Sequence, residues 1–153
     1  MLVDRDVDDC HELKAASEAF AHTAGLPTKP RPTPTGEFVL VTRIACEEME
    51  AWLLGDQTAI RQAYPRVKAH HVKATFTHTT DPAAIRGGTA EALERVFVAA
   101  SYPAGKLKYE WAARIGPHLD PARNQSASFQ CFWQRIQGHC TWSWGRLLAS
   151  FIV

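Results

Sequence analysis

The chain has 153 residues, 46% of them apolar and 22% charged, which are ordinary values for a globular protein. A chain of this length predicts one domain with a buried core. No window approaches the roughly 20 apolar residues of a membrane-spanning helix. The first residues do not form a secretory signal, so we expect a cytoplasmic protein without membrane contact. The four cysteines lack zinc-site spacing and are expected to be reduced.

The net charge of +1 hides an asymmetry along the chain. Residues 1–60 hold 5 Lys/Arg and 11 Asp/Glu, whereas residues 61–153 hold 12 Lys/Arg and 5 Asp/Glu. This division fits a cation site in the first part and a phosphate-facing surface in the second. It fits equally well two solvated faces that attract each other, and the charges alone leave both interpretations open.

The first part of the chain has the pattern of an α/β fold. The sequence predicts the end of one strand at Leu2 and Val3. It predicts a second strand over residues 38–45, with two apolar faces as in a buried parallel sheet. A helix is predicted between them over residues 8–22, and the proline-rich residues 26–36 predict an extended loop. The packing stripe of that helix is expected to consist of Cys10, Leu13, Ala16, Ser17 and Phe20.

The second part is predicted to be mostly helical. Helices are expected over residues 47–54, 56–64, a segment capped by Thr89, 108–119 and 128–137. Residues 65–88 have a weak pattern and are predicted to be mostly loop. Trp52 is expected in the core, and the helix after Thr89 should bury Leu93, Val96, Phe97 and Ala100. The division is therefore a domain over 1–137 and an apolar tail over 138–153, which could be a docked element, a partner surface or an unnatural end to the gene.

Two carboxylates at the end of the first strand are the sharpest candidate site. Asp4 and Asp6 are two residues apart, so on a strand they point the same way, roughly 6–7 Å apart along the chain. They could face one hard cation such as Mg²⁺, which prefers oxygen ligands and often keeps substrate phosphate and water. The carboxyl edge of a parallel sheet is a common place for such a site. The alternative is an acidic loop that caps the following helix.

A second acidic group follows the second strand. If the two strands are parallel neighbours, Glu47, Glu48 and Glu50 lie beside the first pair of carboxylates. Two acidic clusters at one edge are the arrangement that a metal-dependent phosphoryl-transfer site needs. The alternative is a helix N-terminus enriched in glutamate.

Two lysines in the basic part could contact phosphate. Lys106 and Lys108, near Tyr109 and Arg114, form a cluster in which a lysine could hold a scissile phosphate as a point charge. An exposed cationic start of a helix explains the same cluster equally well. Asn124, Ser126 and Ser128 are interpreted as caps of the last helix.

Several of these segments resemble a known bacterial family, the domain of unknown function 4276. The segments are Asp-Arg-Asp-Val-Asp-Asp-Cys at 4–10, Ile-Ala-Cys-Glu-Glu-Met-Glu-Ala-Trp-Leu-Leu-Gly-Asp at 44–56, Gly-Lys-Leu-Lys-Tyr-Glu-Trp-Ala at 105–112 and Asn-Gln-Ser-Ala-Ser-Phe at 124–129. The resemblance covers residues 1–137. The Glu-x-Glu-Ala-Trp block is its most specific part.

The resemblance implies a Toprim-like fold: a parallel sheet with flanking helices and a mostly helical C-terminal half. Toprim domains use a glutamate after their first strand and an Asp-x-Asp pair after a later one. By resemblance, Asp4 and Asp6 are that pair, and Glu48 or Glu50 is an added ligand. The glutamate-bearing first strand would lie before Met1, which implies a truncated relative or a misplaced gene start.

The resulting functional prediction is a truncated, Toprim-like, Mg²⁺- or Mn²⁺-dependent phosphodiesterase or nuclease. Asp4, Asp6, Glu48 and Glu50 would bind metal, and Lys106 or Lys108 would contact phosphate. Implied partners are DNA or RNA, an ATPase encoded by a neighbouring gene in a phage-defence system, and a second copy of the chain. The alternatives are a non-catalytic partner of an ATPase, docking by its basic part or its tail, and an inactive fragment.

Overall fold

The computed structural model describes residues 1–5, 8–105 and 107–137. Asp6, Lys106 and the tail 138–153 lie outside the described residues, so what was predicted for them remains a prediction.

The described residues form a mixed α/β domain, and its second half is helical, as predicted. The strands are β1 (Leu2–Asp4) and β2 (Arg43–Ala45). The helices are α1 (Cys10–Thr23), α2 (Glu50–Leu54), α3 (Gln57–Ala63), α4 (Ala69–Lys73), α5 (Thr89–Ala99), α6 (Lys108–Ile115) and α7 (127–137). Single 3₁₀ turns at Pro82–Ala84 and Gly116–His118 precede α5 and follow α6. None of the described helices has the length and apolar character needed to cross a membrane.

The two strands are parallel neighbours, which confirms the condition on which the predicted acidic edge depended. Their register pairs Leu2 with Arg43 and Asp4 with Ala45. The strand β2 is shorter than the predicted 38–45. The reason is that Val39 and Leu40 donate backbone hydrogen bonds to the carbonyl of Pro27, at 3.0 and 3.2 Å, so this segment pairs with the proline-rich loop.

The helix α1 is capped and packed differently from the prediction. Asp9, one residue after the predicted start, accepts backbone hydrogen bonds from the first turn and is the N-cap. The predicted stripe is partly wrong, because Phe20 is 73% exposed and Ala16 is also exposed. The helix buries Ala21 and packs against the short strand β2, which covers only a narrow face.

Most of the apolar core lies among the helices α2 to α6. The predicted inward face of α5 is confirmed, since Leu93, Val96, Phe97 and Ala100 are all buried. The segment 65–88 is not all loop, because α4 adds the fully buried Val72 to this core. A smaller cluster contains Ala45, Trp52 and Phe129 and connects the sheet to α7.

Two helix starts differ from the predictions, and both lie beside the acidic edge. Glu47 has a φ of 63°, in the left-handed region, so the predicted helix over 47–54 begins only at Glu50. The N-cap of α5 is Gly88, with a φ of 85°, instead of Thr89. The Thr89 hydroxyl does not cap the helix; it donates a hydrogen bond to the carboxylate of Glu48.

Candidate functional site

The candidate site lies at the carboxyl end of the parallel strands. The register aligns Asp4 with Ala45, and the backbone N–H of Arg5 continues the ladder by donating to the Ala45 carbonyl at 3.0 Å. The turn after β2 carries Glu47, whose carboxylate forms an ion pair with the Arg5 side chain. The ends of both strands are therefore tied together, and the left-handed backbone at Glu47 redirects the chain into α2.

Glu48 is anchored by donors from two helices. One of its oxygens accepts from Thr89 Oγ1 at 2.9 Å and from the backbone N–H of Ala90 at 3.0 Å, and the other accepts from Lys108 Nζ at 2.5 Å. Burial opposes ionisation, but the hydrogen bonds from Lys108, Ala90 and Thr89 outweigh it and lower the pKa of Glu48. Glu48 therefore remains an anion that fixes the starts of α5 and α6 against the β2–α2 turn.

The pKa of Glu50 is shifted in the direction opposite to that of Glu48, although the two residues are only two positions apart. Its side chain is 6% exposed, and its carboxylate lies 3.7 Å from Lys108 Nζ. Burial raises the pKa of Glu50, and the negative charges of Glu48 and Asp4 add to this effect while Lys108 opposes it. A buried carboxyl with a raised pKa is typical of functional sites, although structural clusters can also produce one.

Lys108 supplies a positive charge beside Glu48 and Glu50. It is the first residue of α6, and its side chain is 46% exposed. The hydrogen bond to Glu48 raises the pKa of Lys108, and the charges of Glu50, Glu48 and Asp4 raise it further against the effect of burial. The lysine therefore stays protonated while it remains accessible to solvent.

A cavity of about 440 Å³, which we call the edge pocket, opens beside these charges. Its charged lining residues are Asp4, Glu50 and Lys108. The remaining lining is largely apolar and includes Trp52, Leu53, Tyr109 and Leu119. Its size falls within the range of roughly 300–1,000 Å³ that small-molecule sites occupy.

Trp52, which lines the edge pocket, forms hydrogen bonds with α7 and with the segment before α7. Its indole N–H donates to Ser128 Oγ at 2.8 Å, and its backbone carbonyl accepts from Asn124 Nδ2 at 2.8 Å. Of the predicted caps, Ser126 Oγ accepts from the backbone N–H of Phe129 at 3.4 Å, whereas the side chains of Asn124 and Ser128 each form a hydrogen bond to Trp52. The tryptophan is 6% exposed, so its predicted core position is confirmed.

The structure brings together four of the six predicted site residues, namely Asp4, Glu48, Glu50 and Lys108. Within the ranges 1–5, 8–105 and 107–137, no three His, Cys, Asp or Glu side chains form a group that could hold a metal ion by themselves. Sequence reasoning missed the partnership of Thr89 with Glu48, because two residues 41 positions apart give no signal of contact. It also missed the edge pocket, whose walls come from distant segments.

The fold and site thus describe a mixed α/β protein with an acidic, lysine-bearing strand edge beside an apolar pocket. The family model of the domain of unknown function DUF4276 matches residues 1–137. The chain therefore belongs to the DUF4276 family. No curated protein and no solved structure matches it.

Proposed function

We propose that this chain is a Toprim-like domain that binds Mg²⁺ or Mn²⁺ at its strand edge and acts on phosphodiesters. The observation that carries the proposal is the parallel pairing of β1 and β2, because it pairs Asp4 with Ala45, the last residue of β2 before the turn that leads to Glu50. The Asp-x-Asp resemblance at residues 4–6 supports the Toprim-like assignment. Phage defence and an ATPase partner are proposed from the resemblance alone.

The available donors fit a hard divalent cation. Asp4 and Glu50 line the same pocket, and one or two carboxylates plus water and phosphate oxygens are the usual ligands of Mg²⁺. Asp6 would be the second member of the strand-end pair. Glu48 is better suited to a positioning role, since both of its oxygens already accept hydrogen bonds.

The side chains could divide the chemistry of phosphodiester hydrolysis between them. Lys108, protonated and partly exposed, would hold a non-bridging phosphate oxygen by charge. Asp4 and Glu50 would hold the metal ion beside that phosphate. A bound metal ion would supply Lewis-acid stabilisation of the phosphate. Lys106, in the same segment as Lys108, is a further candidate for phosphate contact.

A phosphodiesterase assay with an activated diester, and with single- and double-stranded DNA and RNA, tests this proposal. We expect Mn²⁺-dependent hydrolysis that falls by about 100-fold or more in Lys108→Ala, the range typical of a lost electrostatic contact to the reacting group. The matched control is Lys73→Ala, an exposed lysine of α4, which should retain full activity. Equal activity of both variants would contradict the role of Lys108.

A second candidate function is a non-catalytic binding module. The mutual neutralisation of Glu48 and Lys108 favours it, because the same contact explains the cluster as a structural connection among the β2–α2 turn, α5 and α6. In that case the folded chain would bind a diester or a partner without hydrolysing it. The assay separates the two functions, since binding without turnover supports the module and turnover supports the enzyme.

A further inference from the structure

The lining of the edge pocket has two chemically different parts. One part consists of Asp4, Glu50 and Lys108, and the other consists of apolar side chains that include Trp52, Leu53 and Leu119. A free phosphate or an extended sugar–phosphate backbone would use only the charged part of the lining. The exposed apolar part, which includes Met49 and Tyr109, would then remain in contact with water.

An exposed aromatic ring lies at this pocket. Tyr109 follows Lys108 directly on α6, lines the pocket and is 89% exposed. Large aromatic side chains with such exposure are a recurrent platform for nucleobases, because every base offers a flat π face. Tyr109 and Lys108, the candidate for phosphate binding, are adjacent residues at the start of α6. A single nucleotide could therefore contact both side chains.

We propose that the edge pocket binds the base of a nucleotide, stacked on Tyr109, while the phosphate of the same nucleotide is held at Lys108. This inference rests on the proposed function and narrows its substrate class to a nucleotide or a nucleic-acid end with an accessible base. A base inside a continuous duplex could not enter the pocket without leaving its stack. The charged part of the lining favours a phosphate accompanied by a divalent cation, since the carboxylates of Asp4 and Glu50 line the pocket together with the lysine.

The test compares adenosine monophosphate with ribose phosphate as ligands of the full chain in the presence of Mn²⁺. The two probes share the phosphate and the sugar, so any difference in Kd reports the base. We expect adenosine monophosphate to bind roughly 5- to 150-fold more tightly, the range that corresponds to one base–aromatic stack. Tyr109→Ala should remove most of this preference without affecting Mn²⁺ affinity.

Two further variants test whether the preference for the base depends on the edge pocket. Phe20→Ala is the matched control, because Phe20 is also a highly exposed aromatic on a helix but does not line the pocket. It should keep the preference for the base. Ala112→Phe places a large side chain at the pocket from the exposed face of α6 and should abolish the preference while phosphate binding persists.

The outcomes separate this inference from the proposed function. Equal affinity for both probes, with Mn²⁺-dependent phosphate binding intact, would overturn the base pocket and leave the proposed function standing. If neither probe nor Mn²⁺ binds to the folded chain, both proposals are overturned. A base preference that survives Tyr109→Ala and Ala112→Phe would also overturn the assignment of the edge pocket.

Discussion

Replacing Glu48 with alanine should destabilise the protein strongly, because this carboxylate satisfies donors that have little access to water. Thr89 and Ala90 are 0% and 1% exposed, and their hydroxyl and N–H groups would each lose the acceptor. A buried polar group left without a partner costs about 1–3 kcal/mol. The ion pair with the half-exposed Lys108 adds less than about 1 kcal/mol. We therefore expect Glu48→Ala to lower the free energy of unfolding by about 3 kcal/mol.

Urea unfolding followed by tryptophan fluorescence measures this loss. The matched control is Glu12→Ala, an exposed glutamate of α1, which should change stability by no more than about 0.5 kcal/mol. Because the folded-state pKa of Glu48 is lowered, its contribution is present above the ordinary value of 4.5 and is lost as the pH falls through the lowered pKa. A loss at neutral pH equal to that of Glu12→Ala would refute the anchoring role of Glu48.

The other predictions concern two buried carboxylates. Glu50→Gln should stabilise the protein by about 0.5–2 kcal/mol at pH 8, because the amide carries no negative charge for burial to penalise. The folded-state pKa of Glu50 is raised, so its ionisation costs stability as the pH rises through that pKa, and the variant should lack this decline in a thermal unfolding series. Asp56→Ala should lower stability by about 2–4 kcal/mol, because Asp56 caps α3 and also accepts from Arg123 and the N–H of Asp120. Chemical unfolding with Asp81→Ala as the exposed-cap control checks this, and equal losses would contradict it.

The edge of the sheet was predictable because it depends on local patterns and on one simple pairing. Apolar strand ends followed by acidic residues indicated where Asp4 and Glu50 would lie, provided that the strands were parallel neighbours, and they are. The charge asymmetry also has a physical explanation. Glu48 pairs with Lys108 and Asp56 with Arg123, so acidic residues of the first part attract basic residues of the second.

What could not be predicted depends on contacts between distant segments. The pKa of Glu50 is raised by burial, whereas that of Glu48 is lowered by donors on α5 and α6, and no spacing in the sequence reveals either environment. The strand β2 is short because the backbone of residues 39–40 pairs with the proline-rich loop, and apolar patterning does not detect such competition. Among the described residues the sheet has two strands, so it offers α1 a small area, and Phe20 is exposed there.

Titration of the purified chain with Mn²⁺ by calorimetry tests the central claim most directly, with Asp4→Asn/Glu50→Gln as the site variant and Glu12→Gln as the control. Both substitutions in the site are nearly isosteric, so circular dichroism should show that the variant folds. The account predicts saturable binding to the native chain and to the control, and its loss in the site variant. Equal Mn²⁺ binding by all three proteins, or no binding by the folded native chain, would contradict it.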